Sequence, residues 1–251
     1  MARMLEKALK KWNSLKREER LFPETNSPKK LDDFRWENKF PADGLVLRVS
    51  SRDLPRENAE HEEGYFKNAW NTDFAWFTKA EMLKLIPAKH EKGATHEIPA
   101  PIVQRLVRLH LVDNVRGQTP SFSKSGIKQA QLQVEVTDSG PDQISLRLTG
   151  SASVNDEGKW AIGGLKDPTE SAQKRGFEGK LLGRAVYSTK EQRFTAFEML
   201  AIGSRWGATK YNGRSKDLGP APQGFAFTLA GASPSERVAP ANIWDYEWDR
   251  K

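Results

Sequence analysis

Two stretches of strict alternation set the fold class. In residues 128–136, Ala130, Leu132, Val134 and Val136 alternate with Gln131, Gln133 and Glu135. In residues 143–154, Ile144, Leu146 and Leu148 alternate with Ser145, Arg147 and Thr149. A period of two gives each strand one apolar face. The Asp138-Ser139-Gly140-Pro141-Asp142 between them is turn chemistry, so the pair predicts an antiparallel hairpin. Residues 177–187 and 193–203 predict a second hairpin around 188–192. Apolar residues fall on both faces over 197–202, which predicts a central strand covered on both sides. Gly176, Gly179, Gly183 and Gly203 point to bends or close backbone approach in a curved sheet. Residues 155–158 are expected to turn, and 224–229 to supply a last strand.

The first half has a different texture. Residues 2–20 predict an amphipathic helix: Leu5, Leu9, Trp12 and Leu15 share a face with Met4 and Ala8, and lysines and arginines cover much of the rest. Residues 22–44 are punctuated by Pro23, Pro28, Pro41 and Gly44 and predict irregular structure. Residues 44–51 predict a short strand, and 53–64 a polar loop. From Tyr65 to Phe77 runs the densest aromatic stretch, which favours core. Thr78-Lys79-Ala80-Glu81 is a capping box, followed by a short helix that Pro87 ends.

Residues 102–119 join the halves and carry the most polar chemistry of any apolar stretch. Pro101 suits a first helical turn, and Ile102, Val103, Leu106, Val107 and Leu109 form one apolar stripe. A helix is expected to about His110, then an extended segment over 111–116. Asp113 and Arg116 have the simple reading of a structural ion pair, with His110 a satisfied buried histidine.

The expected fold is therefore α+β. A curved, mainly antiparallel sheet or barrel of about five to seven strands fills the C-terminal half (121–251), packed by a few helices from an irregular N-terminal part (1–120), as one compact unit.

Composition excludes several classes. The absence of cysteine removes disulfides, thiolate metal sites and cysteine nucleophiles. His90 and His96 each precede a glutamate, but not at the helical zinc-pair spacing, and no metal or cofactor is expected. Phosphate-binding glycine loops, a nucleophile elbow and a βαβ rhythm are missing. No run approaches the ~18 apolar residues of a membrane span. An apolar leader is also missing, which predicts a cytoplasmic protein, or an exported one whose leader has been removed. The formal net charge is +7, concentrated towards the N-terminal end.

Trp76, Thr78, Glu81, Leu85 and Pro87, then Arg105, Leu106, Arg108, His110, Leu111, Asp113, Arg116 and Gly117, then Leu181, Leu182 and Gly183, form a pattern. It resembles an uncharacterised family of planctomycete-type bacterial proteins and spans about two-thirds of the chain. The resemblance implies no activity, and it implies that members are often exported.

Three functional expectations follow. The leading one is non-enzymatic binding of a small anionic or amphipathic ligand where helices meet sheet. Arg105, Arg108 and Arg116 would neutralise the ligand, and Trp70, Trp76 and Trp206 would form its apolar wall. An alternative is an enzyme (lyase, isomerase or hydrolase) with His110 as base and Asp113 orienting it. A third is nucleic-acid binding through the basic N-terminal helix and the long loop 204–220, with Arg205, Lys210, Tyr211, Arg214 and Lys216. The sequence leaves ligand identity and oligomeric state open.

Overall fold

The computed structural model describes residues 2–20, 36–56, 66 and 68–248. Residues 22–35 of the irregular stretch, 57–64 of the polar loop and Tyr65 lie outside the described residues. The chain divides into two compact units, Met1–Lys39 and Phe40–Lys251.

In the first unit, α1 (Ala2–Ser14) is followed by the single turn α2 (Arg17–Arg20) and a 3-10 turn at Trp36–Lys39. Arg20 folds back on α1, donating to the carbonyls of Asn13 and Leu15 at 3.0 Å each and lying 5.6 Å over the Trp12 ring. Those carbonyls belong to the end of a helix, where a guanidinium satisfies orphan acceptors and suits the dipole.

The second unit is organised by a single sheet of eight strands among the described residues. They are β1 (Leu45–Asp53), β2 (Trp70–Phe77), β3 (Thr95–Glu97), β4 (Ile127–Ser139), β5 (Gln143–Gly158), β6 (Gln173–Ser188), β7 (Arg193–Trp206) and β8 (Ala221–Leu229). Their order is β2-β1-β8-β7-β6-β5-β4-β3, every neighbouring pair is antiparallel, and the sheet does not close into a barrel. β1, β2 and β3 come from the N-terminal part, so the sheet draws strands from both sides of residue 120. The alternation in β4 and β5 puts Leu132, Val134 and Val136 beside Leu148, Leu146 and Ile144 on one buried face.

Thr78 caps α3 (Lys79–Leu83): its hydroxyl accepts from Glu81 N–H, and the Glu81 carboxylate accepts from Thr78 N–H. α4 (Ala100–His110) starts at its proline and lies over β4 and β5, filling the concave face with Ile102, Val103, Leu106 and Val107. Full burial of such side chains contributes ~1.5–3 kcal/mol each. Gly179 and Gly203 face each other across β6 and β7. A Cβ on Gly203 would stand 2.0 Å from the Glu178 carbonyl oxygen and 2.6 Å from Gly179 Cα, so only glycine permits that approach.

Four expectations need correction. First, β7 is not covered on both sides: Leu200 and Ile202 are exposed on the outer face, with Leu182 beside Leu200. Apolar residues on both faces look the same in a sequence whether or not a second layer exists. Second, residues 155–158 do not turn but continue β5. Asp156 and Glu157 are carried there opposite Arg175 and Lys174, so charge pairing compensates for poor strand propensity. Third, residues 111–116 form bends and not an extended segment, because their polar groups are satisfied by side chains. Fourth, the spacing of Trp244, Tyr246 and Trp248 predicts three aromatics on one side of an extended tail, and they do not share one. A 3-10 turn at Ile243–Tyr246 exposes Trp244 and buries Tyr246.

Candidate functional site

Three polar clusters in the second unit could carry chemistry. The first surrounds the end of α4. The Asp73 carboxylate can only accept, so His110 Nδ1–H donates to it at 3.2 Å. His110 Nε2 shares a hydrogen bond of 2.7 Å with the Tyr246 hydroxyl, whose oxygen also accepts from Trp76 N–H (3.1 Å). Asp73 also accepts from Ala241 N–H at 2.8 Å, so it ties down the tail. Arg105 pairs with the Glu81 carboxylate, donates to the Trp76 carbonyl at 3.2 Å and lies 4.6 Å over the Tyr246 ring. Trp248 stacks on Trp76 with centroids 6.4 Å apart. Burial would raise the Glu81 pKa, but Arg105 and the Thr78 cap outweigh it and hold the carboxyl below its ordinary value. Burial pushes the Tyr246 phenol far up. This cluster is closed, although the buried indole N–H groups of Trp76 and Trp248 find no acceptor among the described residues, and it works as a clasp for the tail.

The second cluster is a knot of charge. Arg214, with no solvent exposure, forks onto Asp113 (2.8 and 2.9 Å) and onto Asp53 (2.8 and 2.6 Å). Arg116 pairs with Asp53 at 2.7 Å, Arg56 and Arg205 pair with Asp217, and Gln223 donates to Asp113 at 3.0 Å. Asn212, in the turn before Arg214, accepts from Thr209 N–H (2.9 Å) and Arg214 N–H (3.3 Å), which presents the guanidinium inward. Burial would raise the Asp53 and Asp217 pKa values, but neighbouring arginines outweigh it and lower both. Arg205 is lowered by burial and by Arg214. Arg214 is raised, because its two bidentate carboxylates overcome burial. Paired, bidentate and desolvated, these groups fasten the end of β1, the 111–120 segment and the loop 207–220 together.

The third cluster borders a cleft of about 820 Å³ at the ends of β4 and β5. Arg175 forms part of its wall, donating to the carbonyls of Pro120 and Ser121 (2.7 Å each) and to Asp156 (2.8 Å), and lying 4.7 Å over Phe122. Burial lowers the Arg175 pKa despite Asp156. Asp156 is occupied further by the Ser123 hydroxyl at 2.6 Å, and Glu157 by Lys174 at 3.4 Å. Trp160 presents its ring to the cleft while its indole N–H donates to the Ala208 carbonyl at 2.8 Å. Lys128, Lys159 and Lys210 are exposed along the same lining, and among the described residues none has a carboxylate within ion-pair distance. Lys210 instead lies 5.6 Å over the Tyr211 ring.

The structure distributes the expected site residues across these places. Arg105 and Trp76 do meet, but in the tail clasp, where Tyr246 and Trp248 fill the position expected for a ligand. Arg108 donates to the Phe122 carbonyl at 3.0 Å, and Arg116 belongs to the knot. Trp70 is exposed on β2, and Trp206 donates to Asn155 at 3.1 Å while packing on Gly176. The six therefore do not form one pocket. His110 and Asp113 are not partners: His110 bonds Asp73 and Tyr246, whereas Asp113 bonds Arg214 and Gln223. The Asp113–Arg116 pair is likewise replaced by Asp113–Arg214 and Asp53–Arg116. Of the nucleic-acid candidates, Arg205 and Arg214 are buried in the knot, Lys216 is exposed, and Lys210 and Tyr211 line the cleft.

Sequence reasoning flagged Lys210 and Tyr211 but missed Lys128, Lys159, Trp160 and Arg175. The adjacent Lys159-Trp160 was the available signal: a cation beside an aromatic just past a strand.

No helix among the described residues is long and apolar enough to cross a membrane. Comparison with family models, with curated proteins and with solved structures finds no match to any of them. The comparisons add nothing to the family resemblance carried by the 76–87, 105–117 and 181–183 motifs.

Proposed function

We propose that this protein binds a small anionic ligand carrying a flat apolar group in the cleft between the ends of β4 and β5 and the loop 207–220. The class is the one expected from the sequence, and the place is different. The observation that carries the reading is the excess of cations around the cleft. Its two carboxylates already have partners, whereas among the described residues Lys128, Lys159 and Lys210 have no carboxylate within ion-pair distance. Like charges gathered at one opening raise the local potential and favour an anion. Trp160 and Tyr211 supply faces for a ring, and about 820 Å³ is the size of a small-molecule site. Exposed lysines bind as hydrated point charges, so they suit a phosphate or carboxylate at the rim more than a buried one.

Calorimetric titration tests this with inorganic phosphate, benzoate and adenosine 5′-monophosphate. The nucleotide, which has both anion and ring, is expected to bind more tightly than phosphate or benzoate. Combined Lys128→Ala, Lys159→Ala and Lys210→Ala is expected to weaken it ~10-fold, since exposed pairs contribute ~0.2–1 kcal/mol each. No binding of any of the three probes, or binding that ignores the triple substitution, overturns the reading.

A further inference from the structure

The first unit carries an apolar surface that none of its described residues covers. On α1, Met4, Leu5, Leu9 and Trp12 are 77, 66, 61 and 49% exposed. At about 100° per residue they occupy one side of the helix. Arg3, Lys7, Lys10 and Lys11 occupy the other, with Glu6 as the acid among them. Over residues 2–20 there are seven cations and three carboxylates. A helix of 13 residues is marginal in water, so its formation calls for a surface that buries the stripe.

The chemistry of that surface can be argued from what borders the stripe. A protein groove selects a seam of apolar residues with mixed charge beside it. Here cations cover the polar side, and Arg20 lies 5.6 Å over the Trp12 ring at the end of the stripe. A strong apolar side that includes a tryptophan, a basic opposite side and low overall hydrophobicity describe a helix that lies in the plane of a bilayer interface. The aromatic and the guanidinium then sit at headgroup depth, and the stripe reaches the acyl boundary. Negative headgroups complement the cations.

We infer that residues 2–20 bind the surface of an anionic lipid bilayer, with Met4, Leu5, Leu9 and Trp12 inserted and the lysines and arginines at the headgroups. Binding needs both halves of the helix. It therefore fades as salt screens the charges, and it disappears when the stripe is made polar. The inference does not depend on the cleft, whose lysines belong to the other unit.

The test is co-flotation of the full chain with large unilamellar vesicles of phosphatidylcholine alone and of phosphatidylcholine with 30% phosphatidylserine, in low and high salt. Binding is expected to the anionic vesicles in low salt, with a clear loss in high salt. Lys7→Ala, Lys10→Ala and Lys11→Ala together are expected to reduce partitioning ~100-fold. Leu5→Glu with Leu9→Glu is expected to abolish it, while Lys159→Ala with Lys210→Ala leaves it intact. Thermal unfolding of each variant shows whether the sheet is unchanged. Equal binding to neutral vesicles, no binding, or binding retained by the Leu5/Leu9 variant overturns the inference. So does a concentration-dependent dimer in sedimentation that the Leu5/Leu9 variant abolishes, because the stripe would then be covered by a second copy.

Discussion

The knot and the cleft both hold more cations than carboxylates, but among the described residues only in the knot does every cation reach a carboxylate. In the knot, Arg56, Arg116, Arg205 and Arg214 face Asp53, Asp113 and Asp217, and Arg214 alone forks onto two carboxylates. In the cleft, the carboxylates are spoken for and three lysines are left facing solvent. The choice of residue follows the role. Guanidinium groups suit planar, dry pairing, and ammonium groups remain hydrated and available. A basic loop therefore does not signal a binding surface by its charge count. Within residues 204–220, Arg205 and Arg214 serve the fold, while Lys210 faces the cleft.

The comparison predicts that damage to the knot is felt as lost stability and damage to the cleft as lost binding. Asp113→Ala has the largest expected effect. It leaves Arg214 buried with one of its two bidentate carboxylates gone, Asp217 being a third and longer contact, and should lower unfolding stability by about 4 kcal/mol in urea titrations. A loss below ~1 kcal/mol would show that the knot is more solvated than its burial implies.

Acid should follow the same division. Asp53, Asp217 and Glu81 have folded pKa values below their ordinary 3.8, 3.8 and 4.5, so each contributes stability that is fully present above those values. That contribution is lost as pH falls through the lowered folded values. Stability is expected to hold from neutral pH to about 5 and to fall steeply below about 4. Asp53→Ala should flatten that acid limb, and Lys159→Ala should leave its shape alone.

Outside both clusters, Tyr246→Phe removes the hydroxyl shared by His110 and Trp76 N–H, with a cost of about 2 kcal/mol. It should also raise proteolysis of the tail, which a purely local loss would not do. The smallest effect on stability belongs to the cleft. Lys159→Ala and Lys210→Ala should each stay within about 0.5 kcal/mol of the parent protein while weakening the nucleotide probe.

What the sequence disclosed followed interaction range. The capping box at Thr78 and Glu81 spans three residues, and the alternation in β4 and β5 repeats within one strand, so both were legible. The helix of 100–110 was legible for the same reason. Asp113 finds Arg214 101 positions away, and His110 finds Tyr246 136 positions away, and no local pattern announces either choice. The junction was correctly singled out for its polar density, yet its partners were assigned to near neighbours. The outer face of β7 failed for a different reason: alternation reports where apolar residues stand, and not whether anything lies above them.

The position of β8 has a consequence for how the chain is made. Leu47 pairs with Leu229, so the hairpin of β1 and β2 joins the rest of the sheet only through the last strand. During synthesis β1 is therefore translated early and keeps an unpaired edge until almost the whole chain has emerged. Strand pairing across such a separation is slow, because the loop must close before any contact rewards it. An open strand edge is also a template for pairing with another nascent chain. The narrowest hazard in the life of this protein falls between the synthesis of β1 and the arrival of β8. A chaperone that occupies the 45–53 edge during that interval would raise the yield of folded protein without altering its final stability.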